Sequence, residues 1–423
     1  MSIYDNAGVV LIPSGYKAGT TDNLYSVLPA NGNGDFNATR GSTATRVNKD
    51  GLIEGVATNV PRLDYPLING VVQDCPALLL EPSRGNSAEY SEDFTNWVST
   101  AVTVTANQGI SPDGSQTADS AATNNANGVV ADGFSVSNDS STRTLSVFVK
   151  YVSGTSDFML RGAYTGGSSV AKRTKFDIST GSIITTDTTA SIQNYGNGWY
   201  RLSQQITNNS LGNTNLAFQL FTTNDTVLTN EWLIWGAQLE TSSYVTSYIP
   251  NLSTGSTTRS ADVCNGSGTS AEFNDSEGVL FAEISALAND STFRFITISD
   301  GTTSNRVTIF FRDDNTLDGG VEGATFFDSS VDILDFNRVA VKYKSGDSSF
   351  FVNGFKVDSN TDTFTNTGLN QLDFDLSNGS LPFYGKTKQL MTFKTALTDS
   401  DLETLTSWDS FNAMATGQLY TIE

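Results

Sequence analysis

The sequence predicts an all-β protein with two antiparallel β-sandwiches (jelly rolls) in tandem, preceded by an irregular N-terminal attachment segment. Only 16% of the 423 residues are charged, and Ser, Thr, Asn, Asp and Gly are abundant. This composition favours turns and strand surfaces over helices, because these side chains compete for backbone hydrogen bonds. Short alternating apolar runs recur between Gly- and Asn-rich turns, which is typical of a sandwich. The length fits two to three domains of roughly 100–200 residues.

Residues 1–84 are rich in Gly, Asn and Thr and carry only short apolar runs, at 9–13, 24–29 and 75–82. Prolines and glycines flank these runs, so they resemble short strands docked on another structure. The segment is too polar to form a large core alone. We therefore expect it to attach the chain to something else.

Residues 85–253 are predicted to form the first sandwich, and 254–423 the second. In the first region, strands are predicted at 143–154, 157–164, 172–180, 198–206, 215–223 and 232–239. In the second region, strands are predicted at 278–287, 292–300, 306–314, 338–346, 371–377 and 381–397. Residues 348–359 read as a hairpin around Asn353-Gly354, a type I′ turn signal. One helix is predicted in 397–408, with Thr398 as its N-cap and Asp401 positioned for a capping box.

The absence of histidine and the net charge of −21 exclude several functions. Ser-His-Asp and Cys-His catalysis and histidine-ligated zinc need a residue that the chain lacks. Nucleic acid and anionic membranes need clustered Lys and Arg, so neither is an expected partner. No apolar run approaches the ~20 residues of a spanning helix, and the N-terminus does not resemble a secretory signal. We expect synthesis in a cytoplasm.

The two cysteines, Cys75 and Cys264, lie far apart in the sequence and form no CxxC motif. Two alternatives remain open: both stay free thiols, or they form a disulfide between domain junctions.

Three groups of motifs resemble modular bacteriophage virion proteins of the tail-fibre, head-fibre and capsid-appendage type. The first group is GDFNATRGSTATRVNKDGLIEGVATNVPRLDYP (34–66), CPALLLEPSRGN (75–86) and YSEDFTNW (90–97). The second is NGWYRLS (197–203), WGAQLETSSYVTSYIPN (235–251) and TRSADVC (258–264). The third is GVLFAEIS (278–285), VAVKYKSG with FFVNG (339–354), and LTDSDLETL (397–405).

In this resemblance, the middle region is similar to a carbohydrate-binding-module-like jelly roll, and the last region to a concanavalin A-like lectin/glucanase (laminin-G-like) domain. The resemblance implies a virion location, capsid or tail proteins as partners, a homotrimer, and contact with host-surface polysaccharide, without enzymatic activity. It supplies no ligand residues. Two alternatives stay open: a capsid decoration (cement) protein that binds no sugar, and a glycan depolymerase.

Aromatic residues near strand ends are the candidate glycan contacts, because a ring can stack on the apolar face of a sugar. These candidates are Trp97, Tyr164 and Tyr195. Trp232 and Trp235 are three apart, so on one strand they point to opposite faces and cannot form a single platform. We expect both of them in cores.

Carboxylates offer two weaker sites. Asp373 and Asp375 share one strand face, a spacing compatible with glycoside chemistry but more typical of a solvated or calcium-binding face. Asp313 and Asp314 lie in a predicted turn and are the calcium candidates, since calcium takes carboxylate and carbonyl oxygens. No other cofactor is expected.

Overall fold

The computed structural model describes residues 6–13, 23–124, 128–221, 230–321, 325–329 and 331–408. This part of the chain is almost entirely β-structure, as the sequence predicts. Every ladder between its named strands is antiparallel. None of its described helices is long and apolar enough to cross a membrane.

The N-terminal region contributes nine short strands. They are β1 (Ala7–Leu11), β2 (Asn23–Leu24), β3 (Phe36–Thr39), β4 (Ala44–Val47), β5 (Ile53–Val56), β6 (Leu63–Asp64), β7 (Leu67–Ile68), β8 (Val71–Val72) and β9 (Ala77–Leu80). A tenth strand, β10 (Arg84–Asn86), leads into the first sandwich.

The first sandwich consists of two six-stranded sheets. One sheet has the order β11-β14-β21-β16-β17-β18 and the other β12-β13-β22-β15-β20-β19. The strands are β11 (Val98–Thr100), β12 (Val102–Gly109), β13 (Ala118–Thr123), β14 (Val129–Ser135), β15 (Thr142–Ser153), β16 (Asp157–Thr165), β17 (Val170–Asp177), β18 (Ser182–Thr186), β19 (Ala190–Gly196), β20 (Trp199–Thr207), β21 (Asn215–Phe221) and β22 (Glu231–Glu240).

Strand β22 is buried on both faces, which confirms the prediction for its two tryptophans. Trp232 is fully buried in the core between the two sheets. Trp235 is 1% exposed and lies in a different cluster on the outer face of its sheet, with Phe148 and Tyr248. The two indoles therefore hold different packing layers together, and neither is available to stack on a sugar.

Gly236 interrupts β22 with a bulge, and replacing it with Ala is expected to destabilise the fold. Its φ is +65°, and a Cβ there would lie 2.9 Å from Cδ2 of Phe148. The left-handed backbone costs about 1–2 kcal/mol for a residue with a Cβ, and the overpacking costs about 1–3 kcal/mol more. Urea unfolding of Gly236→Ala should show this loss. Gly55→Ala is the control, because its Cβ would meet nothing within 4 Å; an equal loss in both variants would contradict the argument.

The second sandwich packs an eight-stranded sheet on a five-stranded one. The larger sheet has the order β32-β31-β30-β25-β34-β9-β6 with β1 also paired to β34, and the smaller has the order β29-β28-β27-β26-β33. The strands after residue 250 are β23 (Thr257–Arg259), β24 (Val263–Asn265), β25 (Glu277–Ala286), β26 (Arg294–Ser299), β27 (Arg306–Phe311), β28 (Leu317–Val321), β29 (Thr325–Ser329), β30 (Asn337–Lys344), β31 (Ser348–Val352), β32 (Phe355–Asn360), β33 (Gln371–Asp373) and β34 (Gly385–Phe393).

Strands of the N-terminal region belong to this second sandwich, so residues 1–84 are not a structurally separate segment; attachment to another structure stays a prediction. β1 pairs with β34 from Ala7 to Leu11, and β9 pairs with the other end of the same strand. Strand β3 also pairs with β24, which follows the first sandwich in sequence. The short runs of residues 1–84 are docked strands, as predicted, but the structure they dock on belongs to the same chain.

Local signals near the C-terminus are confirmed. Asn353 and Gly354 have φ of +50° and +90° between β31 and β32, as a type I′ turn requires. The helix α1 (Asp399–Thr406) begins after Thr398, whose side chain accepts a hydrogen bond from the Asp401 amide. Its buried Leu402 packs on the outer face of the larger sheet.

Candidate functional site

Five buried charged residues from the N-terminal region and from the chain after the first sandwich form what we call the arginine–carboxylate cluster. Its members are Arg40, Arg62, Glu81, Arg259 and Asp262. Arg62 donates to Glu81 at 2.6 Å and to the Asp262 carboxylate. Arg259 lies 2.9 Å from Glu81, and Arg40 lies 2.9 Å from Asp262. The cluster thus ties residues before and after the first sandwich to each other.

The charged groups of the cluster pair with one another. Burial by itself would raise the pKa of Glu81, but Arg259 and Arg62 outweigh it and hold that pKa well below its usual range. Burial by itself would lower the pKa of Arg62, and Asp262 and Glu81 raise it instead. Each of its two carboxylates contacts two of its three arginines, so we interpret the cluster as a structural clamp. Its residues lie in TRG, PRLD, LLLEP and TRSAD, which belong to the motif groups quoted above.

A cleft of about 360 Å³ lies above this clamp, between the two sandwiches and the N-terminal region. We call it the inter-sandwich cleft. Its volume is at the lower end of the range of about 300–1,000 Å³ that ligand sites span. Its lining residues include Arg46, Asp64, Tyr65, Gln193, Tyr195, Arg201, Tyr244, Tyr248, Ser285, Phe336 and Lys386.

The aromatic side chains of the cleft come from segments distant in sequence. Tyr195, the only one of the three predicted glycan contacts that lies in this cleft, is half-buried in β19. Its ring packs edge-on against Phe148 with centroids 4.9 Å apart, which fixes its orientation. Tyr65 and Tyr244 are also half-buried, and burial raises the pKa of Tyr244 to about 12, so its hydroxyl is neutral at physiological pH. The cleft therefore offers several rings with partly open surfaces.

Paired charges provide polar groups in the same space. Lys386 Nζ lies 2.9 Å from Asp64 Oδ2, and Arg46 Nε donates to Glu54 Oε1 at 2.7 Å. Burial would lower the pKa of Lys386, but the Asp64 carboxylate raises it, so the lysine stays charged. These groups can donate hydrogen bonds to a polar ligand while their own charges are balanced.

Arg201 is one of five charged lining residues that the sequence analysis does not single out; the others are Arg46, Asp64, Glu81 and Lys386. Arg201 lies on β20, directly across from Gln193 on β19, and is 4% exposed. The side-chain alternation along β20 indicates that Arg201 is buried. Arg201 is two residues from the buried Trp199 and so shares its face of the strand.

Two predicted glycan contacts are corrected by burial. Trp97 is 4% exposed, packs on Phe134 and Phe218, and donates from Nε1 to the Glu89 carbonyl. Tyr164 is fully buried, and its hydroxyl accepts from Arg143. Both rings belong to the core of the first sandwich, where side chains from other strands cover them.

The carboxylate candidates have local structural partners. Asp373 accepts from the Gly266 amide at 2.7 Å, and Asp375 accepts from Asn265 at 2.5 Å, so both tie β24 to the end of β33. Burial raises the pKa of Asp373 to about 6. These carboxylates are buried rather than on the solvated face that the spacing suggested.

The turn proposed for calcium is exposed and its side chains have protein partners. Asp314 accepts from Thr316 and lies 3.8 Å from Arg312, and Asp313 is exposed beside it. Within the described residues, no group of three or more His, Cys, Asp or Glu side chains is arranged to hold a metal ion. The structure therefore gives no support for a calcium site at Asp313 and Asp314.

Cys75 is exposed and Cys264 is buried, and both are free thiols. The free-thiol alternative is confirmed and the disulfide alternative is wrong. Burial raises the pKa of Cys264 well above its usual value, so this thiol stays protonated.

No protein-family model matches the chain, and no curated protein matches it. Among solved structures, the chain is similar to leech intramolecular trans-sialidase complexed with 2,7-anhydro-Neu5Ac, at 16% identity and TM-score 0.28, over 33% of this chain and 24% of that one. It is also similar to the Ruminococcus gnavus IT-sialidase CBM40 bound to α2,3 sialyllactose, at 14% identity and TM-score 0.28, over 32% of this chain and 84% of that one. Domain 4 of the Geobacillus stearothermophilus arabinanase AbnA, in complex with arabinotriose, has 12% identity and TM-score 0.29, over 35% and 73%. Similarities of this size do not establish what this chain binds.

Proposed function

We propose that this protein is a non-enzymatic bacteriophage virion appendage that binds a host-surface glycan in the inter-sandwich cleft. The virion assignment rests on the motif resemblance, which extends over most of the chain. The same resemblance implies capsid or tail proteins as partners and a homotrimeric assembly. The observation that carries glycan binding is the cleft itself, in which half-buried tyrosines and polar side chains face one space.

The chemistry of the cleft suits a sugar better than an apolar ligand. Sugars present apolar ring faces edged by hydroxyl groups, so they need aromatic surface next to donors and acceptors. Tyr195 and Tyr65 supply rings, while Gln193, Lys386 and Asp64 supply donors and acceptors. The orientation of Tyr195 is fixed by Phe148 before any ligand arrives, which lowers the entropic cost of binding.

Binding of the intact protein to a printed array of bacterial surface oligosaccharides tests the proposal. We expect selective retention, and a loss of at least about tenfold in affinity for Tyr195→Ala and Gln193→Ala, as for truncated side chains at the centre of an interface. Phe355→Ala is the matched control, because this ring is 72% exposed on a hairpin of the second sandwich. Its affinity should be unchanged, and thermal melting should show all three variants folded.

Other outcomes would replace the proposal with one of its alternatives. If the array retains no glycan, the cement-protein alternative is favoured. If incubation with a retained glycan releases reducing ends, the protein is a depolymerase and the non-enzymatic assignment is wrong. If Phe355→Ala weakens binding while Tyr195→Ala does not, the glycan lies outside the inter-sandwich cleft.

A further inference from the structure

The buried arginines of this chain differ in whether a carboxylate lies beside them. Six arginines are buried among the described residues, and five of them lie within 4.0 Å of a carboxylate: Arg40, Arg62, Arg143, Arg259 and Arg294. Arg201, the sixth, has no such ion pair within the described part of the chain. It is also the only one of the six among the lining residues of the inter-sandwich cleft.

Only some of the N–H groups of the Arg201 guanidinium have hydrogen-bond acceptors in the protein. Nη1 donates to the Thr246 carbonyl at 2.8 Å, and Nη2 donates to Ser146 Oγ at 3.2 Å. The group also lies over the Phe148 ring, 5.1 Å from its centroid. A guanidinium carries five N–H groups, and the buried Nε donates to no described protein atom, as is also true of Arg259 and Arg294, which have carboxylate partners. Donors and a full positive charge thus remain uncompensated beside a cleft.

We propose that Arg201 binds a carboxylate of the ligand, so that the glycan held in the inter-sandwich cleft is an acidic sugar, such as a uronic or sialic acid residue. This inference rests on the proposed glycan-binding function and specifies its ligand class. A carboxylate matches the planar guanidinium fork, and a charge-assisted hydrogen bond is strong where water is excluded. Gln193, across the ladder from Arg201, and Lys386 on β34 of the second sandwich also line the cleft and are further donors for the same acid.

The net charge of −21 opposes any anionic ligand, but the local charges decide the outcome. Exposed charges are screened over about 8–10 Å at physiological ionic strength. Within the cleft, Asp64 is paired with Lys386, and Glu81 is paired with Arg62 and Arg259. Among the charged lining residues, Arg46, Arg201 and Lys386 outnumber Asp64 and Glu81 by one positive charge, so a single sugar carboxylate meets a net positive site.

The test uses wild-type protein and matched pairs of ligands. An array should carry sialylated and uronic-acid-containing oligosaccharides, each beside its methyl ester, which keeps the shape and removes the charge. We expect the acids to bind at least about tenfold more tightly than their esters, as expected for the loss of one charge-assisted hydrogen bond. Equal binding of acids and esters, or exclusive binding of neutral glycans, would overturn the acidic-sugar inference and leave glycan binding intact. Retention of no glycan at all would overturn the proposed function itself.

A variant then assigns the preference to Arg201. In Arg201→Gln, the ratio of acid to ester affinity should fall to about one, whereas a merely structural role would weaken both ligands alike. Arg173→Gln removes the same charge from an exposed position on the opposite sheet of the first sandwich, and its ratio should match wild type. An unchanged ratio in a folded Arg201→Gln contradicts the assignment. If that variant does not fold, the wild-type comparison of acid and ester still decides the ligand class.

Discussion

A chain that lacks residues 1–84 is expected to keep the first sandwich folded and to lose the second. The missing region supplies β1, β6 and β9 to the larger sheet of the second sandwich. It also supplies eight buried apolar side chains to the clusters of that sandwich: Val9, Val10, Leu11, Leu24, Phe36, Leu63, Leu78 and Leu80. At about 1.5–3 kcal/mol for each, the loss exceeds 10 kcal/mol, which is comparable to the whole stability of about 5–15 kcal/mol of a domain.

Two fragments measured side by side separate this result from a general failure to fold. Residues 85–253 alone contain every member of the first sandwich's inner core, so this fragment should show dispersed amide NMR signals and one cooperative urea transition. Residues 85–423 should show that transition alone, with the second sandwich unfolded. Co-expression with residues 1–84 as a separate chain should restore the second transition. If 85–423 shows both transitions without help, the N-terminal strands are dispensable.

The fold class could be predicted because its signals are local. The strand at 143–154 and the Asn353-Gly354 turn are read within one strand or one hairpin, and both are confirmed, although the strand is buried on both faces over 143–149 rather than alternating. Strands β12 and β18 were missed because they carry few apolar side chains; β18 is exposed throughout. The place of residues 1–84 could not be predicted, because pairing between Ala7 and Phe393 leaves no mark in either segment alone.

The candidate site shows the same limit more strongly. The rule that selects aromatic residues near strand ends and turns picks Tyr195, which lines the cleft, and also Trp97 and Tyr164, which are buried in a core. What distinguishes them is burial by other segments, which depends on the packing of the whole chain. Arg201 and Lys386 lie far apart in sequence, on different sandwiches. Their approach to one cleft follows from the way the N-terminal region bridges both.

The arginine–carboxylate cluster explains why the motifs that contain its residues are not the proposed binding site. Motifs with Arg and Glu suggest a functional site. Buried charges are costly unless they are paired, so such residues can also serve to hold the fold together. Here the pairs close on each other and fix the position of the N-terminal region against the chain after the first sandwich. The cluster fixes the segments that line the inter-sandwich cleft, so it affects binding only by positioning those segments.

Replacing Arg62 with Met is accordingly expected to cause one of the largest losses of stability available to a single substitution. Arg62 is fully buried and bridges Glu81 and Asp262. Methionine fills part of the volume but leaves both carboxylates short of a partner. Removing one partner from a buried ion pair costs about 3–5 kcal/mol. Arg259 and Arg40 remain beside Glu81 and Asp262, which favours the lower part of that range. Urea unfolding followed by tryptophan fluorescence measures the loss.

Arg46→Met is the control, because it also removes an arginine that is paired with a carboxylate. Arg46 also contacts a carboxylate, that of Glu54, but its side chain is 25% exposed, and such partly solvated pairs contribute about 0–1 kcal/mol. A loss in Arg62→Met no larger than in Arg46→Met would show that the cluster does not clamp the fold. Because Arg62 joins residues on either side of the first sandwich, the loss should appear in the transition of the second sandwich and leave the transition of the first sandwich unchanged. A shift confined to the first sandwich would instead place the stabilising role of Arg62 there, and the cleft would then need another support.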